Sequence, residues 1–191
     1  MIIQTKNKIQ YFWVVLLSYF YRFNFHKDSG RFHLYPSVKV TNPQNMIIGS
    51  NVSLYSRGWI YAIKTDNSEP LISIGKNTEI YENFHITCAN RIIIGHSCLI
   101  TRNVLITDSL HNYNDVSTPI IYQGITSRET FIDDGCWIGN NCVIVCCTIG
   151  KNCVIGANSV LINQNIPDYS VVSGNPAQII RTIKQKKVKN I

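Results

Sequence analysis

Charge is scarce in this chain and unevenly kept. Only 15% of its 191 residues are Asp, Glu, Lys or Arg. Residues 181–191 have no acid at all and carry Arg181, Lys184, Lys186, Lys187 and Lys189, while residues 1–40 set one acid against six bases. Between them, 41–180 holds seven basic and ten acidic residues, so the formal charge of +7 belongs to the ends. That distribution argues against a uniformly basic nucleic-acid face. A small anionic ligand or an anionic membrane surface stays open for the ends. Seven cysteines cannot all pair, and no cleavable signal is visible, so a disulfide framework is not expected and a reducing cytoplasm is. A long apolar run is missing too. Residues 9–23, IQYFWVVLLSYFYRF, fall short of the ~20 residues a spanning helix needs, and Gln10, Ser18 and the tyrosines interrupt them. Lys6 and Lys8 precede this stretch, but no small-residue cleavage site follows. It reads as a helix packed on its own protein or an oligomer mate. The other reading is peripheral membrane contact through 9–23, with Lys6, Lys8 and Arg22 at the headgroups.

What the chain does have is a hexad. IGSNVS (48–53), IGKNTE (74–79), IGNNCV (138–143), IGKNCV (149–154) and IGANSV (155–160) share the form IGxNxx, and IGHSCL (94–99) differs from it by Ser97 in the fourth place. With the leading aliphatic residue as register mark, marks six apart fall into triplets. These are Ile48, Leu54, Ile60; Ile74, Ile80, Ile86; Ile94, Ile100, Ile106; Ile132, Ile138, Ile144; and Ile149, Ile155, Leu161. Neither a helical nor a strand period produces this spacing. Three hexads make a coil with three short sides, each offering one aliphatic group to an interior that only stacked coils can bury. Asn at the fourth place (Asn51, Asn77, Asn83, Asn103, Asn141, Asn152, Asn158) suits left-handed corners. The cysteines Cys98, Cys136, Cys142 and Cys153 read as small packed residues. Metal at Cys146–Cys147 or elsewhere is not expected. The steps between triplets are 14, 8, 26 and 5 residues, so every irregularity leaves at the same phase. The longest excursion, 108–131, carries His111, and a long loop on a repeat scaffold is where function is sought.

The block FIDDGCWIGNNCVIVCCTIGKNCVIGANSVLINQNIPDYSVVSGNPAQIIR (131–181) has the elements W-I-G-x-N, I-G-A-x-S-V, I-P-x-Y-S and G-N-P-A in order. With the repeats of 46–181, it resembles the hexapeptide-repeat acetyltransferases. It is most similar to the galactoside, maltose and nodulation-sugar O-acetyltransferases and to the O-acetyltransferases of polysaccharide and O-antigen clusters. The resemblance implies an all-β-dominated fold: a left-handed parallel β-helix of about five coils, an exception to right-handed crossover. The expected divisions are an N-terminal helical segment over 1–40, the β-helix over 41–165 with its loop 108–131, and a C-terminal extension over 166–191, basic and helical at its end. It implies a homotrimer with acetyl-CoA as acyl donor in the cleft between prisms, and His111 as the base that deprotonates an acceptor hydroxyl. Imidazole suits that task near neutral pH. The likeness puts Asn83, in YENFHIT, beside the acetyl group; a plain turn asparagine is the competing reading. It puts Asn140 and Ala157 along the pantetheine, the turn Gly174-Asn175-Pro176 near the adenine, and Arg181 on a CoA phosphate, with Lys184 or Lys186 as substitutes.

The expected activity is O-acetylation of a sugar hydroxyl on a surface-polysaccharide or O-antigen precursor, a small-molecule or glycan acceptor. N-acetylation of an amino sugar is the alternative. Asp108 or Asp115 could orient the His111 ring, as could a backbone carbonyl. His85 could line the same cleft, and His96 reads as a turn residue. Other classes are a zinc carbonic anhydrase built on His85, His96 and His111, and a non-catalytic β-helix scaffold.

Overall fold

The computed structural model describes residues 2–64 and 69–183, with side chains from Phe12 onward. Short strands recur in threes and stack into three parallel sheets, the faces of a prism. Face I begins with His33–Leu34 and ends with Ser170–Gly174; face II runs from Lys39–Thr41 to Val160–Ile162; face III runs from Met46–Ile48 to Asn165–Ile166. Six full coils result, and a seventh strand closes face I. The fold is a left-handed parallel β-helix.

The hexad becomes a coil because strand side chains alternate in and out, and one aliphatic residue per side meets its counterpart above and below. The fifteen register marks divide five to each face. On face I, Leu54, Ile80, Ile100, Ile138 and Ile155 align; on face II, Ile60, Ile86, Ile106, Ile144 and Leu161; on face III, Ile48, Ile74, Ile94, Ile132 and Ile149. All fifteen are buried. Fully burying one such side chain contributes about 1.5–3 kcal/mol. The columns extend beyond the expected span. Leu34 and Val40 add a coil below, and Ile166 and Val172 continue it above.

Corners are made by left-handed residues. All seven hexad asparagines have positive φ, from 52° at Asn152 to 60° at Asn51. The hexad glycine answers a different need, since coils lie directly on one another. A Cβ on Gly75 would come within 2.5 Å of the Gly95 carbonyl carbon. All seven cysteines are free and buried. Burial pushes the Cys88, Cys142, Cys146 and Cys147 thiols up.

Two expected boundaries move. The N-terminal helix is Ile2–Tyr21, not the whole of 1–40, and the prism already begins at His33. The helix sits at the open end of the first coil. Val14 and Ser18 are buried there, and the Leu34 N–H donates to Ser18 Oγ at 2.7 Å, satisfying an amide the sheet leaves unpaired. At the other end the prism runs past 165, and Ala177–Thr182 is a further strand. It returns antiparallel along Ser170–Gly174 and so covers the last edge of face I. The basic stretch beyond it, 184–191, including Lys184 and Lys186, lies outside the described residues.

Candidate active site

Two edges of the prism carry the residues singled out by sequence. The first, between faces I and II, is a ladder of amides. Arg57 Nε donates to Asn83 Oδ1 at 2.9 Å, Asn83 Nδ2 to Asn103 Oδ1 at 3.0 Å, Asn103 Nδ2 to Asn141 Oδ1 at 2.8 Å, and Asn141 Nδ2 to Asn158 Oδ1 at 3.0 Å. Asn83 is therefore a corner residue with φ of 60°, in one rank with its neighbours, and its side chain is exposed. Asn140 and Ala157 are exposed on the same edge, two coils and three coils further on. The Asn140 carbonyl accepts the Asn158 N–H at 2.8 Å, and its side-chain oxygen accepts the Arg102 N–H at 3.1 Å. Gly174, Asn175 and Pro176 continue this edge as the turn between the last two strands, and Gly174 N–H donates to Ser159 Oγ at 3.2 Å. Arg181 is exposed on the returning strand, opposite Val171. The edge thus brings Asn83, Asn140, Ala157 and Asn175 into one line.

Sequence reading missed the lower part of that line. Tyr35, Tyr55 and Tyr81 stack there with ring centroids 4.5 and 4.6 Å apart. Burial, with the Glu79 carboxylate nearby, pushes the Tyr55 hydroxyl up. Arg102 Nε lies 2.8 Å from Glu82 Oε2 and holds that carboxyl low. The signal was a tyrosine or threonine one place after three successive face-I marks, visible only once the hexads are aligned.

The second edge lies between faces II and III, and every irregular step leaves from it. The excursion after Leu105–Thr107 is a hairpin: Ser109–His111 pairs antiparallel with Ile125–Ser127, His111 standing opposite Ile125. His111 is exposed, four residues from the end of the face-II strand. The hairpin is rooted by Asp108, which is fully buried. Its carboxylate accepts the N–H groups of Ala89 at 2.8 Å, Asn90 at 2.7 Å and Arg91 at 2.7 Å, and the Cys88 thiol at 3.4 Å. Its carbonyl accepts the Arg128 N–H at 2.8 Å, and Thr130 Oγ1 donates to the Thr107 carbonyl at 2.8 Å where the chain rejoins the prism. Asp108 therefore faces into the coil below and does not orient the His111 ring. Asp115 Oδ1, further out on the hairpin, accepts from Ser117 N–H and Oγ, which hold its carboxyl low.

The three histidines of the zinc reading sit apart in one chain. His85 is stacked on Trp59 outside face II with centroids 4.9 Å apart, His96 Nδ1 accepts the Lys76 N–H at 2.9 Å at a III–I corner, and His111 is on the hairpin. No cluster of three metal-ligating side chains occurs among the described residues.

Residues 129–163 match the family described as bacterial transferase hexapeptide (six repeats). That stretch, on the upper coils of the prism, is similar to the hexapeptide-repeat transferases. An Escherichia coli K12 protein named as a candidate lipopolysaccharide biosynthesis O-acetyl transferase, WbbJ, is 32% identical over 119 residues, 58% of this chain and 60% of that one. The hexapeptide-repeat chain thus spans less than two thirds of that curated relative. Among solved structures, a galactoside acetyltransferase in complex with coenzyme A is 27% identical, with a TM-score of 0.54, covering 77% of this chain and 64% of that one. AntD, an N-acyltransferase from Bacillus cereus in complex with dTDP and 3-hydroxybutyryl-CoA, shares the fold. Its TM-score is 0.74 over 88% of each chain, at 15% identity.

Proposed function

We propose that the protein transfers an acetyl group from acetyl-CoA to a sugar hydroxyl, on a precursor of a surface polysaccharide or O-antigen. The observation that carries this reading is the His111 hairpin, an exposed imidazole on an anchored root beside a transferase-family prism. A relative named for O-acetyl transfer in lipopolysaccharide biosynthesis and a CoA-bound galactoside enzyme support the acceptor class and the donor. The seven free thiols accord with work in the cytoplasm.

In this reading neutral His111 removes the acceptor hydroxyl proton as the oxygen attacks the thioester carbonyl carbon. A tetrahedral oxyanion forms, held by a backbone N–H of the I–II edge. Its collapse breaks the C–S bond, and the CoA thiolate takes the proton back from the imidazolium. Asn83 keeps one amide hydrogen outside its ladder bond, and in this reading donates it to the acyl group. Asn140 and Ala157 line the pantetheine, and Asn175, Pro176 and Arg181 the nucleotide end.

The two edges are separated by face II, so the proposed site joins the I–II edge of one chain to the hairpin of another in a homotrimer. Exposed apolar residues on the excursion support this assembly. Tyr113, Ile120, Ile121 and Tyr122 are 69%, 54%, 77% and 78% exposed in the single chain.

The test uses labelled acetyl-CoA and a panel of glycans, with base treatment to separate ester from amide products. His111→Ala is expected to lower kcat by about 10²–10⁴-fold. Undiminished transfer by this variant would sink the role of His111, and absence of CoA binding by calorimetry would sink the enzyme.

A further inference from the structure

Over Phe12–Tyr21 the N-terminal helix is apolar around almost its whole circumference, yet the prism takes only a narrow stripe of it. Val14 and Ser18, four residues apart, are the buried pair. Around them Phe12, Trp13, Tyr19, Phe20, Tyr21 and Phe23 are between 52% and 69% exposed. A helix apolar on all sides belongs in an apolar environment, and a patch of this size marks a contact surface. What could cover it is limited by charge. Residues 1–27 contain Lys6, Lys8, Arg22 and Lys27 and no acid. A second copy would set like charges against each other. The helix is not long and apolar enough to cross a membrane.

Beside the patch, between the helix and the first coil, lies a cavity of about 400 Å³ walled by Val15, Tyr19 and Phe32 and rimmed by Arg22, Arg31 and Asn51. Neither arginine has an acidic partner among the described residues. The Arg22 guanidinium rests 5.7 Å from the Tyr19 ring centroid and 5.3 Å from that of Phe23. A cation beside a tyrosine and a phenylalanine ring, next to a cavity with apolar and basic lining, matches the chemistry of a bilayer interface.

We propose that the helix lies in the plane of an anionic membrane surface, with Trp13, Phe20 and Phe23 among the lipid chains and a lipid phosphate between Arg22 and Arg31. The prism then projects from the bilayer, held through the coil that Ser18 caps. The inference stands without the acyl-transfer reading.

The full chain is floated with vesicles of phosphatidylcholine alone and with added phosphatidylglycerol. The expected result is co-flotation with the anionic vesicles only, weakened by salt. Trp13→Ser with Phe20→Ser and Phe23→Ser should lower partitioning at least about tenfold. Arg22→Gln and Arg31→Gln should each lower it about fivefold and serve as the control should the aromatic variant not fold. Transfer to a soluble acceptor, measured without vesicles, should be unchanged in the arginine variants. Wild-type protein left at the bottom of the gradient, or floating equally with neutral vesicles, overturns the proposal. So does an aromatic variant that floats as well as wild type, or one whose only change is a smaller assembly in light scattering.

Discussion

Asp108 is the residue whose replacement tests the site most sharply. Three backbone amides at 2.7–2.8 Å point at one buried carboxylate. Hydrogen bonds to a charged group contribute about 1.5–3 kcal/mol each, and a buried donor left without an acceptor costs about 1–3 kcal/mol. Asp108→Asn keeps the shape and one acceptor oxygen. If that oxygen stays with Asn90 and Arg91, the new NH2 faces the Ala89 N–H, and the loss is about 2 kcal/mol. Asp108→Ala removes the charged acceptor from all three amides, and the expected loss is about 4 kcal/mol, within the range for removing one partner of a buried charged group. Guanidinium denaturation followed by tryptophan fluorescence, at fixed protein concentration, measures both. The kinetic signature should be local. Loosening the hairpin root displaces His111, so kcat falls in Asp108→Asn while KM for acetyl-CoA holds, because the proposed CoA elements are on the other edge. Stability of both variants within 0.5 kcal/mol of wild type would refute the anchoring argument, since three bonds to a charged acceptor contribute more than that.

Two other substitutions probe the scaffold. Asn103 sits at φ 59° and bonds both Asn83 and Asn141, so Asn103→Ala loses the ladder contacts and also strains the backbone. Asn103→Gly loses only the contacts and should melt higher than the Ala variant, by about 1 kcal/mol of stability in a thermal scan. Gly58 lies under the buried Phe84 ring, which occupies the space its Cβ would need. Gly58→Ala should cost about 1–3 kcal/mol through overpacking, with part regained on adding Phe84→Leu; a double variant no better than the single one would count against this contact.

The interior of the prism was legible because its physics is periodic. One inward side chain per side, repeated every six residues, writes Ile48 through Leu161 into the sequence as a count. The ends were not legible for the same reason. Leu34 and Val40 have the N-terminal helix and no further coil at their open end, so the first coil has no IGxNxx hexad, and Ile166 and Val172 stand in segments shaped by turns. The strand Ala177–Thr182 was not read from the sequence, because composition is silent about what lies beside a chain. Ala177–Thr182 had an open sheet edge next to it and paired with that edge. His111 could be singled out by its place on the longest step. Asp108 could not be understood from its place three residues earlier, because its partners, Ala89 to Arg91, belong to the coil below.

That vertical relation also decides how the site can be built. A base and the carbonyl it serves must come within about 3–3.5 Å of the attacking oxygen. Asn83, Asn140 and Ala157 are fixed on the I–II edge by side-chain bonds and stacked backbone, and Asp108 fixes the hairpin to the II–III edge. Neither edge can swing toward the other without breaking face II, whose columns from Ile60 to Leu161 are buried throughout. The proposed chemistry therefore needs the two edges to meet between chains. The apolar residues exposed on the excursion are where the second chain would have to sit.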